Sequence, residues 1–287
     1  MEKMKPNFIG LGSQKCATAW LYNMLNSHPN ISMVVGEDGD KDTKFFSYFY
    51  DRGFEWYEKH FHNLMGNNIL GEFSTSYFYN SHAPKRIFDY SPDIKLIVSL
   101  RNPIERAFSN HKHEIKLGRI SGENLFFENG LKNNPMYVYQ SLYYTHLSRW
   151  FRYFDKTQIF IIMVDDLRCN PSKIIRELYA FLGVDTAHKP AMLGQRIHET
   201  HIPQNTLFEQ AIKKTSAFVK SIGGARLVDY LKSRGVNRKV YRLNSRAESD
   251  AFPPMKEATR ILLLQKFAQE NKKLAELINR DLSSWNQ

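Results

Sequence analysis

The sequence is poor in cysteine and contains no long uncharged apolar run. Only Cys16 and Cys169 occur among its 287 residues, which is too few for the disulfide framework of a small secreted protein. The apolar run at residues 8–11 is far too short for a signal-peptide core or a membrane span. No other stretch reaches membrane length without charges. We therefore expect a cytoplasmic protein.

Common metal-site and nucleotide-site motifs are missing as well. The sequence has no C-x-x-C, no H-E-x-x-H and no tight group of three carboxylates, so we predict no metal site. It also lacks G-x-x-x-x-G-K-[S/T], the Walker loop that an ATP-dependent kinase of related architecture would carry. These absences argue against a kinase and against a metalloenzyme.

A surplus of positive charge is what the chain does have. Its formal net charge is +11, and its hydrophobic fraction of 42% is enough for a sizeable core. Such a charge favours an anionic ligand, whether nucleic acid, acidic membrane, acidic glycan or phosphorylated nucleotide, or is only a solvated basic surface. A non-catalytic polyanion-binding or nucleic-acid-binding module is a remote alternative, because the basic residues are spread out instead of forming a stripe with exposed aromatics.

Strand and helix patterns alternate along the chain. Short apolar runs predict strands at 8–11, 69–71, 93–100 and 158–164. A polar stretch at 72–76 follows the second of them. Helical spacing predicts helices at 18–25, 83–90, 103–116, 137–154, 171–182 and 256–282. The alternation predicts an α/β fold in which helices flank a central parallel sheet. We expect one domain over residues 1–287, with a basic, lid-like excursion at about 188–254.

The first candidate site is the loop between the first strand and the first helix. Backbone N–H groups at a helix N-terminus, the helix dipole and Lys15 together suit a phosphate or sulfate. Taken alone, the loop is equally a capped turn with one exposed lysine. Its sequence is Gly12-Ser13-Gln14-Lys15-Cys16-Ala17-Thr18-Ala19-Trp20.

The second candidate site follows the strand at 93–100. That strand delivers Arg101 at its carboxyl end, where ligands bind in open α/β sheets. Ser109 lies on the next helix, on a face that can join Arg101 around one phosphate. A salt bridge at the strand end is the alternative for Arg101. Arg106 is expected to pair with Glu105, Glu114 or another acidic group.

The loop after the first strand and the segment around Arg101, in this order along the chain, resemble two motifs of the sulfotransferases that use 3′-phosphoadenosine 5′-phosphosulfate (PAPS). The resemblance is to their bacterial and heparan-sulfate-type branch in particular. The resemblance covers most of the chain and implies a fold like that of P-loop NTPases. Segments 41–46, 53–57, 72–77 and 281–285 resemble further signatures of the branch. Gly12, Lys15, Thr18 and Leu21 match its G-x-x-K-x-G-T-x-x-L turn, and residues 100–109 match L-R-[N/D]-P-x-x-R-A-x-S without a gap.

The resemblance implies an enzyme that moves the sulfuryl group of PAPS to a hydroxyl or amine and releases adenosine 3′,5′-bisphosphate (PAP), without a metal. Lys15 would neutralise the leaving 5′-phosphate, while Arg101 and Ser109 would hold the 3′-phosphate. Within the basic excursion, Lys239, Arg242 and Arg246 are candidates for closing on the phosphates. The implied donor-binding set is Gly12, Ser13, Gln14, Lys15, Cys16, Ala17, Thr18, Ala19, Trp20, Arg101, Ser109 and Arg246.

Asp42 is the implied general base, because it stands at the acidic position of the K-E-x-x-F-F signature. By composition alone it reads equally as a solvated aspartate in the charged run 37–44. Isolated histidines are more often structural than catalytic. The rival bases are nevertheless His28, His111, His198 and His201.

Departures from the family pattern bear on the donor site. Ala17 replaces a glycine, which is tolerable if its φ is negative. Phe73 replaces a lysine, and Lys44 is a candidate to supply the missing charge. For the acceptor we predict a small molecule or natural product, with a glycan as the alternative, and no nucleic-acid or membrane partner.

Overall fold

A five-stranded parallel sheet forms the centre of the computed structural model, which describes residues 5–37, 39, 41–62, 64, 69–194 and 252–287. The strand order is β2-β3-β1-β4-β5, and all four pairings are parallel. The predicted parallel α/β sheet is therefore confirmed. The strands are β1 (Phe8–Gly12), β2 (Ile31–Met33), β3 (Ile69–Phe73), β4 (Lys95–Leu100) and β5 (Ile159–Met163).

Helices connect these strands. The predicted bounds at 83–90, 103–116 and 171–182 agree with the structure residue for residue. The helices are α1 (Thr18–Asn26), α2 (Gly53–Glu58), α3 (Ala83–Tyr90), α4 (Pro103–Lys116), α5 (Phe127–Asn133), α6 (Met136–Tyr139), α7 (Tyr143–Trp150), α8 (Val164–Cys169), α9 (Pro171–Leu182) and α10 (Glu257–Ile278).

The single helix predicted at 137–154 is wrong, because α6 and α7 divide it. The Ser141 N–H donates to the Val138 carbonyl, three residues back instead of four. The side chains of Gln140 and Ser141 accept hydrogen bonds from the buried guanidinium of Arg106. This tertiary contact turns the chain between the two helices, and periodicity gives no sign of it.

The two faces of the sheet pack into separate hydrophobic clusters. On β4, Leu96 and Val98 belong to one cluster and Ile97 to the other, as expected where successive side chains point to opposite faces. Residues of α3, α7 and α10 join the first cluster, and residues of α1 and α9 join the second. Helices therefore flank both faces, as predicted.

The chain divides into two compact units. The first comprises Met1–His111, Leu131–Ile197 and Lys256–Gln287 and carries the sheet; the second comprises Lys112–Gly130 and His198–Met255. One domain over residues 1–287 stays a prediction. Most of the predicted lid lies outside the described residues, together with Lys239, Arg242, Arg246, His198 and His201. Among the described helices, none is both long enough and apolar enough to cross a membrane.

Two glycines allow β1 and β3 to pair closely. Phe8 pairs with Gly71, and Gly10 pairs with Phe73, so each ring lies across the glycine of the neighbouring strand. A Cβ atom added at Gly71 would overlap the Phe8 ring, and one at Gly10 would overlap the Phe73 ring. Only glycine fits there without displacing a fully buried ring.

We predict that Gly71→Ala lowers the free energy of unfolding by roughly 1–3 kcal/mol, because the added methyl overpacks the core. Urea denaturation measures the change. Gly194→Ala is the matched control, since among the described residues, apart from the chain neighbours, no heavy atom lies within 4 Å of a Cβ at that position. Equal urea midpoints for the two variants would contradict this account of the packing.

Candidate functional site

The carboxyl ends of three neighbouring strands meet at one edge of the sheet. Because β1 lies between β3 and β4 and all run parallel, the segments that follow these strands lie side by side. These are the loop 12–17, the stretch 74–76 and Arg101. This edge is the usual position of a ligand in an open α/β sheet.

Ser99 joins the loop after β1 to the end of β4. Its carbonyl accepts a hydrogen bond of 3.0 Å from the Ser13 N–H, and its hydroxyl donates to the Cys16 carbonyl at 2.6 Å. The same hydroxyl lies 3.3 Å from the Gly12 carbonyl oxygen. Ser99 is fully buried. The structure thus brings the predicted donor loop and the strand that delivers Arg101 together.

The backbone of this loop repeatedly takes positive φ angles. Gly12 has φ 126°, and a Cβ there would lie 2.9 Å from the Thr75 carbonyl oxygen, so glycine is required. Lys15 has φ 69° and Ala17 has φ 62°. The negative φ that would make alanine tolerable at position 17 is therefore absent, and its buried methyl group sits in the left-handed region.

Helix α1 begins directly after Ala17 without a side-chain cap. The first N–H groups of a helix have no acceptor within the helix. Those of Thr18, Ala19 and Trp20 are therefore available to a ligand at the positive end of the helix dipole. Thr18 is itself buried at this end, whereas Ala19 is exposed.

Three hydrogen-bond donors at this edge are buried and unsatisfied. The Ser13 hydroxyl, the Trp20 indole N–H and the Arg101 Nε–H have no hydrogen-bond partner within the described part of the chain. Buried polar groups in proteins are normally hydrogen-bonded. All three belong to the residues predicted to hold the donor. They suit an anion that carries several acceptor oxygens.

Arg101 also has a carboxylate nearby. Its Nη2 atom lies 3.7 Å from Oε2 of Glu105, and its side chain is 15% exposed. Glu105 in turn accepts a hydrogen bond of 2.8 Å from Arg260. The strand-end salt bridge therefore exists but is long, and the Nε atom stays unsatisfied. Ser109 is half-buried on α4 and makes no direct hydrogen bond to Arg101 within the residues described.

Arg106 has a role that the sequence did not predict. It is fully buried and donates to the Ser141 hydroxyl at 2.6 Å, to Oε1 of Gln140 at 3.0 Å and to the Tyr137 carbonyl at 2.5 Å. The predicted pairing with a carboxylate is wrong, because all three acceptors are neutral. Burial lowers the pKa of this guanidinium. Arg106 ties the start of α4 to the turn between α6 and α7.

Cys16 faces the interior, not the ligand side of the loop. Its thiol is fully buried and lies 3.7 Å from the Tyr143 hydroxyl. Burial raises the pKa of the thiol, and the positive charges of Arg106 and Arg101 partly oppose that rise. The side chain therefore packs as a protonated thiol, while the Cys16 N–H donates to the Ser13 carbonyl at 3.2 Å and its carbonyl accepts from Ser99, so Cys16 shapes the loop from within.

The Asp42 carboxylate is held next to the donor loop. Its Oδ2 accepts hydrogen bonds from the Thr75 N–H at 3.0 Å and the Thr75 hydroxyl at 2.7 Å, and its Oδ1 pairs with the Lys41 ammonium. Its side chain is only 7% exposed, so the reading as a solvated loop aspartate is wrong. The Thr75 carbonyl lies against Gly12. Thr75 therefore bridges Asp42 and the start of the loop.

The described rival groups take other positions. His28 is buried, with Nε2 at 2.9 Å from the Asp185 carbonyl and Nδ1 accepting from the Asn30 N–H at 3.1 Å, so it is structural. His111 is buried on α4. The Lys41 ammonium lies 5.8 Å from the ring centroid of Phe73 and so places a cation beside it. That Lys44 supplies the missing charge stays a prediction.

Glu72 is a buried acid that the sequence analysis missed. It was expected in a polar stretch after the strand, but β3 continues to Phe73 and leaves Glu72 fully buried. Its carboxylate accepts hydrogen bonds from the Tyr57 hydroxyl at 3.0 Å and from the Thr43 hydroxyl. Burial raises the pKa of Glu72 to about 7. Its position within the E-F-S-T-S-Y signature is the signal that pointed to it.

Comparison with known proteins identifies the group to which this site belongs. Residues 5–218 match the family model described as a sulfotransferase domain. Mouse heparan sulfate glucosamine 3-O-sulfotransferase 6 is 32% identical over 186 residues, which cover 62% of this chain and 52% of the relative. Mouse bifunctional heparan sulfate N-deacetylase/N-sulfotransferase 4 is 28% identical over 300 residues, which cover 98% of this chain and 31% of the relative. The chain spans about half the length, or less, of these curated relatives.

A solved structure shares the fold. The sulfotransferase from Alicyclobacillus acidocaldarius superposes with a TM-score of 0.69, and the match covers 99% of this chain and 100% of that one. Sequence identity between the two is 23%. The predicted α/β fold is therefore confirmed for the part of the chain that the structure describes.

The raised pKa of Glu72 predicts how stability depends on pH. An unfolded glutamate has a pKa of 4.5, whereas folding raises that of Glu72 to about 7, so the folded state holds this proton more tightly. The stability that results is fully present below pH 4.5 and is lost as the pH rises to about 7. Relative to Glu72→Gln, we expect the wild-type free energy of unfolding to fall by roughly 3 kcal/mol over this interval.

Urea denaturation from pH 4 to pH 8 measures this difference, with Glu55→Gln on the exposed face of α2 as the control. A wild-type curve parallel to that of Glu72→Gln at every pH would show that Glu72 does not titrate in this way.

Proposed function

The chain belongs to the sulfotransferase family, and we propose that it is a transferase that uses PAPS, in which the loop around Lys15 and Arg101 hold this donor while Asp42 activates the acceptor. The observation that carries the proposal is the group of three buried donors at Ser13, Trp20 and Arg101, which have no hydrogen-bond partner among the described residues. PAPS brings two phosphate groups and a sulfuryl group, whose oxygens are acceptors for such donors.

Charge stabilisation explains the assigned roles at the donor. Lys15 and the N–H groups at the start of α1 neutralise the 5′-phosphate, which gains charge as it leaves, and the Thr18 hydroxyl completes that cradle. Arg101 and Ser109 hold the 3′-phosphate and so fix the register of the nucleotide. Arg246 is a further candidate for the phosphates and lies outside the described residues.

Proton transfer at the acceptor is assigned to Asp42. The acceptor oxygen or nitrogen attacks sulfur, the bond between sulfur and the 5′-phosphate oxygen breaks, and the bonding pair leaves with PAP. The acceptor proton passes to the carboxylate. Support comes from Thr75, which binds Oδ2 and lies against Gly12, so the carboxylate is fixed close to the loop assigned to the donor. No metal takes part in this scheme.

Two acceptor classes fit a hydroxyl or amine nucleophile. The first is a small molecule or natural product. The second is a glycan with glucosamine units. It is favoured by the relatives, which are named as a heparan sulfate glucosamine 3-O-sulfotransferase and a heparan sulfate N-deacetylase/N-sulfotransferase. The net charge of +11 suits an acidic glycan.

Sulfur-35-labelled PAPS distinguishes these classes when it is offered with heparosan oligosaccharides, with de-N-sulfated heparin and with a pool of phenols and amines. The pool whose members become labelled with sulfur-35 identifies the acceptor class. Binding of heparin without measurable affinity for PAP would instead favour a non-catalytic polyanion-binding module.

A cytoplasmic location is also part of the proposal. Its support is that Cys16 and Cys169 are both free thiols, one buried and one exposed. The cytosol keeps such thiols reduced. Fractionation of cells that express the full-length protein tests this assignment.

For the donor site, we predict that Lys15→Ala lowers the transfer rate at least about 100-fold, because the leaving phosphate loses its main counter-charge. Arg101→Ala is expected to weaken PAP binding by about 100-fold, since charged hydrogen bonds are lost. Titration calorimetry with PAP needs no acceptor. Lys173→Ala, on the exposed face of α9, is the control. Wild-type turnover in Lys15→Ala would show that the donor does not bind at this loop.

For the base, we predict that Asp42→Asn lowers kcat about 100-fold or more, while PAP affinity stays within about twofold of wild type. The amide keeps an oxygen that can accept from Thr75, so the loop geometry is retained. Asp51→Asn, at an exposed position, is the matched control. An Asp42→Asn enzyme with normal kcat would assign proton transfer to another group.

A further inference from the structure

We propose that Glu72 and Thr43 are positioning residues, which hold the Asp42 carboxylate in place relative to the donor loop. This inference rests on the proposed function, because it concerns the base of that reaction. It assigns a purpose to a buried polar cluster that lies behind the site and includes none of the residues assigned to the donor.

The segment that carries Asp42 has no regular secondary structure. Residues 41–44 belong to neither helix nor strand, and Lys44 has φ 57°. A segment without a backbone ladder is held by its side-chain hydrogen bonds and its packing. The position of Asp42 therefore depends on what binds its immediate neighbours.

Three consecutive residues of this segment bond to the end of β3 and the residues after it. Oδ2 of Asp42 accepts from Thr75, and the Thr43 hydroxyl donates to Glu72. The Lys44 N–H donates to the Ser74 hydroxyl at 2.9 Å. Asp42 is thus the outermost member of a tie of four hydrogen bonds, and the bond between Thr43 and Glu72 is its buried centre.

Glu72 is itself held rigidly. It lies on β3 opposite Ile9 of β1, in the middle of the sheet, and is fully buried. The Tyr57 hydroxyl donates to its other oxygen at 3.0 Å from α2. The Thr43 hydroxyl lies 3.0 Å from the Tyr77 hydroxyl, which accepts from the Phe46 N–H at 3.3 Å.

The groups that face the Glu72 carboxylate are therefore three hydroxyls, those of Thr43, Tyr57 and Tyr77, together with the negative charge of Asp42. No cation pairs with Glu72 among the residues that the structure describes. Burying an acid without a counter-charge is costly, and an apolar side chain would fill the same space with less penalty. The presence of a buried acid at position 72 is explained if Glu72 positions Asp42, because a shift of about 1 Å in a reacting group can lower a rate 100-fold.

A positioning role for Glu72 and Thr43 predicts a different result from a role in fold stability alone. Glu72 and Thr43 bond to the base segment and not to the loop at 12–17, so their loss should affect kcat and leave donor binding unchanged. The substitution that tests this most directly is Thr43→Val, which keeps the shape of the side chain and replaces its hydroxyl with a methyl group. Thr43→Ser keeps the hydroxyl and is the rescue variant.

The experiment uses the full-length chain, sulfur-35-labelled PAPS and the acceptor pools named above. We expect Thr43→Val to lower kcat roughly 10- to 100-fold with PAP affinity within about twofold of wild type, and Thr43→Ser to stay within about threefold in kcat. Hydrogen exchange by mass spectrometry gives a readout without an acceptor: Thr43→Val should exchange faster at residues 41–46 and unchanged at residues 12–20. Wild-type kcat or wild-type exchange at 41–46 in Thr43→Val would overturn the proposal.

Variants at Glu72 test the same role without relying on the Thr43→Val substitution alone. Glu72→Met should lower kcat as much as Thr43→Val, and the double variant should be no worse than either single one, because both break the same bond. Glu58→Met is the matched control, since Glu58 is a buried acid on α2 that bonds to the Tyr90 hydroxyl at 3.3 Å. Equal losses of kcat in Glu58→Met and Glu72→Met would indicate a structural role only.

Failure of this inference is distinguishable from failure of the proposed function. If wild type neither transfers label nor binds PAP, the proposed function is wrong, and hydrogen exchange still tests the tie. If Asp42→Asn is inactive while Thr43→Val and Glu72→Met keep wild-type kcat, the reaction stands and the positioning role is wrong.

Discussion

Ser99 makes the contacts on which the arrangement of this site depends. It sits at the end of β4, where its carbonyl and its hydroxyl together bind both ends of the loop that follows β1. Two residues later the chain reaches Arg101. A single buried serine therefore fixes the distance between the loop at a helix N-terminus and the arginine at a strand end. Neither element would form an anion site of defined geometry without this link.

Thr75 does the same on the opposite side of β1. It binds the Asp42 carboxylate with its N–H and hydroxyl, while its carbonyl lies against Gly12. The parallel order β3-β1-β4 is what allows one loop to be held from both sides. An antiparallel neighbour would place the segment that follows it at the opposite edge of the sheet, away from the loop.

Several features of this edge are unfavourable for stability by themselves. Lys15 and Ala17 take positive φ angles, Arg106 is buried against neutral acceptors, and Glu72 is buried with no counter-charge among the residues that the structure describes. Each of these costs on the order of 1 kcal/mol or more. Such costs concentrate where a structure holds groups ready for a ligand, and the two hydrophobic clusters on either face of the sheet offset them.

The sequence by itself determined the local elements and the chemistry of the donor loop. Apolar runs and helical spacing are encoded by neighbouring residues, so the strands around β1 and β4, and helices such as α4 and α9, follow from short stretches of chain. The family motifs pointed to Lys15, Arg101 and Asp42 for the same reason. Only the tertiary structure decided which distant groups these residues meet. The break between α6 and α7, the neutral partners of Arg106 and the tie from Glu72 to Thr43 all join residues remote in sequence, and pairing at that range is set by strand order and burial.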